Sequence, residues 1–187
     1  MSGEIAKGRV WKFGDNVCGD DGIIEYEIVR QGFGKPMDED RLREVCFRQL
    51  RPEFRAEVRE GDIVVGGRNF AHHNHVEVSA AIRFSGIAAV VVESCETGFV
   101  RRALNLGLPV MSCPGVTDFL EDGDRASADP VSGLILRADG EALQAWPFSE
   151  RMVAIWRAGG VVPLLKREFE AGGTLAPGVA PSQAPGG

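Results

Sequence analysis

Two hydrophobic periods alternate along this chain, and its middle third shows the change between them most clearly. Ile63-Val64-Val65 is a short unbroken apolar run. From Val76 to Ser85 the apolar positions recur at helical spacing, with Ala80, Ala81 and Phe84 on one face. The pattern predicts a strand, a polar loop and a helix ended by Gly86. Ile87–Val92 is wholly apolar, as expected of a strand buried on both faces of a parallel sheet. Ser94 is placed to cap the next helix, which carries Phe99, Ala103 and Leu104 and stops at Gly107. Leu108–Met111 supplies a further strand. The order β-α-β-α-β favours parallel strands joined by right-handed crossovers.

The flanks follow other patterns. Gly8–Phe13 reads as a strand and Gly14-Asp15-Asn16 as a turn. Ile23–Val29 is rich in β-branched and aromatic residues, which predicts a second strand or extended segment. Asp38-Glu39-Asp40 opens a helix with Leu42, Val45 and Cys46 at helical spacing, and Pro52 starts another short one with Phe54 and Val58 on one face. After residue 123, turns at Asp129–Gly133 and Ala138–Gly140 bracket Leu134-Ile135-Leu136, which predicts antiparallel strands or a hairpin. Ser149 caps a final helix with Met152, Val153 and Trp156, ended by Gly159-Gly160.

Composition narrows the class. The chain has 187 residues, 44% hydrophobic and 26% charged, which is enough for one domain with a real core. The segment from 172 to 187 is rich in Gly, Pro and Ala and cannot bury enough apolar surface to order itself, so we expect a domain over 1–171 and a disordered tail over 172–187. A net charge of −6 argues against nucleic acid. No apolar run approaches the roughly 20 residues that span a bilayer, and the first residues lack signal-peptide anatomy, so no membrane association and a cytoplasmic location are expected. Cys18, Cys46, Cys95 and Cys113 lie far apart in sequence, with no paired spacing for zinc or an iron–sulfur cluster, and read as free, mostly buried thiols.

Candidate chemistry gathers in one place. His72, His73 and His75 are the chain's three histidines, and all sit between the strand at 63–65 and the helix from Val76. Side chains that titrate near neutrality therefore stand at a helix N-terminus, where an anion would dock.

Several segments together resemble one family. Gly14-Asp15-Asn16 is similar to its GDN opening, and Gly61–Phe70 to its GDIIVAGxNF strand. Gly86–Val92 and Asn105–Val110 are similar to GIxAVIA and NxGLPV, and Ala158–Pro163 to its AGGLIPYL ending. Five motifs in order over about residues 8–168 resemble the small subunit of 3-isopropylmalate dehydratase, the equivalent of the aconitase swivel domain. The resemblance implies an α/β fold of the swivelling β/β/α type. It also implies a separate large subunit carrying a [4Fe–4S] cluster, with no cofactor on this chain. The implied activity is the reversible dehydration of a small hydroxy-carboxylate, in which iron takes the hydroxyl and a base removes a neighbouring proton.

The resemblance fails at the chemical positions. The family's loop reads Asn-Phe-Gly-x-Gly-Ser-Ser-Arg-Glu-His, whereas this chain has Asn69-Phe70-Ala71-His72-His73-Asn74-His75-Val76-Glu77-Val78. The serine the family uses as base is matched by Asn74, which cannot act as one. The second serine is matched by His75, and the arginine that grips a substrate carboxylate by Val76. The family's Asp-Asn-Ile-Asp-Thr-Asp becomes Asp15-Asn16-Val17-Cys18-Gly19-Asp20-Asp21, so that its last acid is Asp20 or Asp21. Of its Ser-Phe-Ala-Arg only Ser94 remains.

The catalytic candidates are therefore His75, Asn74, Asp20 and Asp21, with His75 as a new general base. The substrate-binding candidates are His72, His73, Asn69 and Ser94, one protonated histidine and helix N-terminal amides holding a carboxylate. Against these stand plain alternatives: Asn74 as an N-cap, Glu77 as a capping-box acid, and Asp20 and Asp21 as a solvated turn. No metal site is expected, because neighbouring loop residues rarely converge on one ion. The substrate expected is a substituted malate or related hydroxy acid other than isopropylmalate. A non-catalytic partner keeping only the scaffold, and a stand-alone anion- or metal-binding module, are the readings from other classes.

Overall fold

The computed structural model describes residues 5–32 and 34–172. The expected tail, Gly172 apart, lies outside the described residues. The elements run β1 (Ala6–Lys12), α1 (Tyr26–Gly32), α2 (Glu39–Val45), α3 (Phe54–Glu57), β2 (Ile63–Gly66), α4 (Val76–Phe84), β3 (Ala89–Val92), α5 (Thr97–Asn105), β4 (Val110–Ser112), α6 (Val116–Phe119), β5 (Arg125–Asp129), β6 (Leu134–Arg137), β7 (Ala142–Gln144), α7 (Glu150–Ala158) and α8 (Val161–Glu170).

One seven-stranded sheet has the order β4-β3-β2-β1-β5-β6-β7. Its first four strands are parallel, and the last three join antiparallel. Side-chain alternation along each strand divides the core in two. Trp11, Val64, Val90 and Val110 share one row of the register and face the helical layer. Val10, Ile63 and Ala89 face the other way, with Val65, Val91 and Met111. That second face is closed by Ala126, Ala128 and Ile135 of β5 and β6 and by Val116 of α6, so the antiparallel strands curl over the parallel ones. Because both faces are covered, Ile63, Val64 and Val65 are all fully buried.

An aromatic chain runs through the helical side. Trp11 meets Phe54 at 4.8 Å, Phe54 meets Phe47 at 5.1 Å, and Phe47 stacks on Phe13 at 4.1 Å. Phe13 in turn reaches Phe70 at 6.4 Å, and Phe70 reaches Phe99 at 6.1 Å. These are ordinary aromatic-pair separations. Phe70 is the residue from which the histidine loop departs, so that loop is anchored in the core.

Four expectations are corrected. Ile23–Val29 is not a strand: both edges of β1 are taken, by β2 and β5. Ile23 and Ile24 instead donate to Cys18 O and Gly19 O, and α1 begins where the Asp21 carboxylate accepts Tyr26 N–H at 3.0 Å. Local bonding and burial override β propensity here. Ser94 does not cap α5, whose N-cap is Glu96. Asn74 is not the N-cap of α4: that position is His75, and it makes no side-chain cap bond. The expected cap of α7 is present, with Ser149 accepting Met152 N–H, but α7 is not the final helix. After a left-handed Gly159 the chain re-enters as α8. Pro163 is tolerated there because first-turn N–H groups have no helical partner.

Two buried or half-buried acids hold the scaffold. Asp62 is 2% exposed and accepts from Arg9 N (2.9 Å), Trp11 Nε1 (3.0 Å) and Arg59 N (2.9 Å). Asp62→Ala orphans all three donors, and we expect it to cost about 3 kcal/mol in urea unfolding. Glu93, just past β3, accepts Gly115 N–H, Thr117 N–H and the Thr117 hydroxyl, tying β3 to α6. Burial opposes its ionisation, yet these donors hold its pKa below the ordinary glutamate range. Its stabilising effect is thus complete above that range and is lost as pH falls through the lower folded value. The stability gap between the wild type and Glu93→Gln should be constant near neutrality and close on acidification. A gap independent of pH would contradict this.

Candidate active site

The candidate residues lie where the parallel strands end. The loops after β1, β2 and β3 leave the sheet at its carboxyl edge, where open α/β sheets place their ligands. Backbone hydrogen bonds continue the pairing beyond the strands. Asn16 N donates to Arg68 O (2.8 Å), Gly19 N to His72 O (2.7 Å), Asp20 N to His73 O (3.1 Å) and Phe70 N to Ser94 O (2.9 Å). Side chains reinforce the seam: Asn69 N donates to Ser94 Oγ (3.0 Å), and Asn69 Nδ2 to Asn16 Oδ1 (3.0 Å). Asn69 and Ser94 are thus tied to each other and to the β1 loop.

Within this frame His75 faces Asp20. Its Nε2 lies 3.2 Å from Asp20 Oδ2, with the histidine side chain 38% and the aspartate 17% exposed. Burial raises the Asp20 pKa, His75 pulls it back, and Asp21 pushes it up again. Tyr26 of α1 lies against the His75 ring at 5.7 Å between centroids. Of the two aspartates, Asp20 meets the histidine, whereas Asp21, in the left-handed region at φ 64°, accepts Tyr26 N–H at the start of α1.

Asn74 is buried, and its amide is fully engaged. Nδ2 donates to Ala71 O (2.9 Å) and Glu96 Oε2 (3.1 Å), while Oδ1 accepts from Arg102 Nη1 (2.8 Å). Arg102, on α5, brings a cation to this loop. Sequence reasoning missed it because the contact spans 28 positions and no motif contains it. Glu96 and Tyr26 were missed because their contacts with Asn74 and His75 are distant in sequence.

His72 Nδ1 lies 3.2 Å from Asn69 O. The rings of His72 and His73 stand edge to face at 5.1 Å. Cys18 forms an isolated bridge with His72. Among the described residues, Cys18, His72 and His73 are the three potential ligands whose donor atoms fall within 4.8 Å of one another. The four cysteines form no disulfide, and burial pushes Cys46 up to about 12 and Cys95 and Cys113 up to about 11. No three cysteines converge among the described residues. No described helix is long and apolar enough to cross a membrane.

No family model matches the chain. It is 37% identical over 169 residues to 3-isopropylmalate dehydratase small subunit 1 of Methanopyrus kandleri, covering 88% of this chain and 95% of that one. It is 35% identical to the isopropylmalate/citramalate isomerase small subunit of Methanocaldococcus jannaschii, covering 88% and 96%. A crystal structure of 3-isopropylmalate dehydratase from the same organism superposes with a TM-score of 0.80 at 30% identity, over 90% of this chain and 98% of the other. The chain therefore belongs to the family of 3-isopropylmalate dehydratase small subunits.

Proposed function

We propose that this chain is the small subunit of an isopropylmalate-dehydratase-type hydro-lyase in which a histidine–aspartate pair replaces the family's serine. The observation that carries the reading is the 3.2 Å contact between His75 and Asp20 at the carboxyl edge of the sheet. His75 stands in the family's two-serine segment. With Nε2–H donated to Asp20, the imidazole carries its lone pair on Nδ1 and can accept a proton from carbon. Asp20 is a positioning residue that fixes the tautomer and stabilises the imidazolium formed on proton transfer. Asn74 holds the loop through Ala71, Glu96 and Arg102 and does not itself move a proton. His72 and His73 form the carboxylate-binding side, and Asn69 and Ser94 fix the loop that carries them.

A partner large subunit carries the [4Fe–4S] cluster, which supplies the Lewis acid for the departing hydroxyl. This assignment fits a chain whose own cysteines are dispersed. The substrate is a small hydroxy-carboxylate. Val76 cannot grip a carboxylate as the family's arginine does, which favours a substituted malate or related hydroxy acid other than isopropylmalate. A cytoplasmic location belongs to the same reading.

The test is co-expression with the large subunit, anaerobic reconstitution, and a hydration and dehydration screen of substituted malates and maleates. His75→Ala should lower kcat by about 10²-fold or more, and Asp20→Asn should give a smaller loss in the same direction. A stable complex whose turnover is unchanged in His75→Ala would reject the histidine as base and favour a non-catalytic partner.

A further inference from the structure

We propose that Cys18, His72 and His73 form a binding site for a single divalent transition metal, with zinc the best match to its donors. The site takes the metal through one thiolate and two imidazoles and leaves a fourth position for water or a carboxylate oxygen. The donor atoms fall within 4.8 Å of one another. A tetrahedral zinc with bonds of about 2.0–2.3 Å holds its donors about 3.3–3.6 Å apart. The required contraction is about 1 Å, within reach of side-chain rotation, since His73 is exposed and His72 and Cys18 are half-buried. A sulfur with two imidazole nitrogens selects borderline-soft ions such as zinc over magnesium or calcium.

Two features prepare these residues as ligands. The first is backbone geometry. Consecutive side chains on an extended segment point to opposite sides. Here Ala71 and His73 both adopt left-handed conformations, at φ 55° and 47°, and the two imidazoles stand side by side. These conformations are uncommon for residues other than glycine, and the bonds from Gly19 N to His72 O and Asp20 N to His73 O hold Cys18 against them. The second is the contact of His72 Nδ1 with Asn69 O. An N–H donated to a backbone carbonyl leaves Nε2 with the lone pair, the usual outer-shell arrangement of a metal-bound histidine.

The sequence departures are mutually consistent with such a site. In the ungapped match to the family's motifs, Cys18 replaces an aspartate and His73 a glycine, so that two of the three ligands are new relative to those patterns. His75 is outside the set because it faces Asp20. The site deepens the assignment of His72 and His73 as the carboxylate-binding side: a metal with an open position would hold the anion that Val76 cannot. Metal binding itself is a property of this chain and does not depend on the proposed reaction.

The test uses the untagged full-length chain, stripped with chelator and titrated with Zn2+ against a chromophoric competitor, and with Co2+ for its absorption spectrum. We expect one equivalent bound, a sulfur-to-cobalt charge-transfer band and intense tetrahedral visible bands. Cys18→Ser and His73→Ala should each weaken binding by more than about 100-fold, beyond the loss typical of an outer-shell change. His75→Ala should bind as the wild type does, even though its turnover in the complex is lost. Circular dichroism checks that each variant is folded, and the exposed His73 is the safer substitution. No binding by the wild type, a cobalt spectrum without the sulfur band, or affinity unchanged in folded Cys18→Ser and His73→Ala would each overturn the proposal.

Discussion

Everything chemical in this molecule depends on how two loops are clamped together beyond the ends of their strands. Gly19 N–H to His72 O and Asp20 N–H to His73 O extend the pairing of β1 and β2 past the sheet. They bring Cys18 and Asp20 from one loop against His72, His73 and His75 from the other. The approach is close enough to require glycine: a Cβ on Gly19 would sit 2.9 Å from both Asn74 Cβ and His73 O. The strain of the left-handed residues at Asn69, Ala71 and His73 is carried by a frame that leaves little freedom, with Phe70 buried in the aromatic chain between two of them.

Within one segment the scaffold positions resemble the family's motif and the positions of the candidate site do not. Asn69, Phe70 and the strand before them keep the family's pattern because Phe70 fills the core and Asn69 ties two loops. The positions immediately following have exchanged small and hydroxyl residues for imidazoles. The exchange is coherent in space. Asn74 takes up Arg102 and Glu96, and His75 takes up Asp20. The buried Asn74 amide is fully paired, as the cost of burying an unpaired amide requires, while Asp20 Oδ1 is left without a hydrogen-bond partner among the described residues.

The sequence made the central βαβαβ unit legible because Ile63–Val65, Ile87–Val92 and the helices between them each follow one unambiguous period. It made the site's address legible through the clustering of the histidines and the motifs around them. It misled at Ile23–Val29, where β-branched residues sit in a buried turn and a short helix whose shape is set by contacts with Cys18, Gly19 and Phe47. It took α7 for the final helix, where α8 follows, and it was silent on the contact of Arg102 with Asn74 and on the approach of Cys18 to two histidines. Each of these arises from contacts distant in sequence or from backbone torsions at Ala71 and His73 that no residue-type preference foretells.

The central claim is that proton abstraction in this family member has moved from a serine to an imidazole oriented by an aspartate. Its most direct measurement is exchange of the substrate's C–H proton with deuterated solvent, catalysed by the reconstituted complex and followed by NMR independently of net turnover. The account predicts exchange in the wild type that is abolished in His75→Ala. Exchange at the wild-type rate in that variant would place the base elsewhere and contradict it.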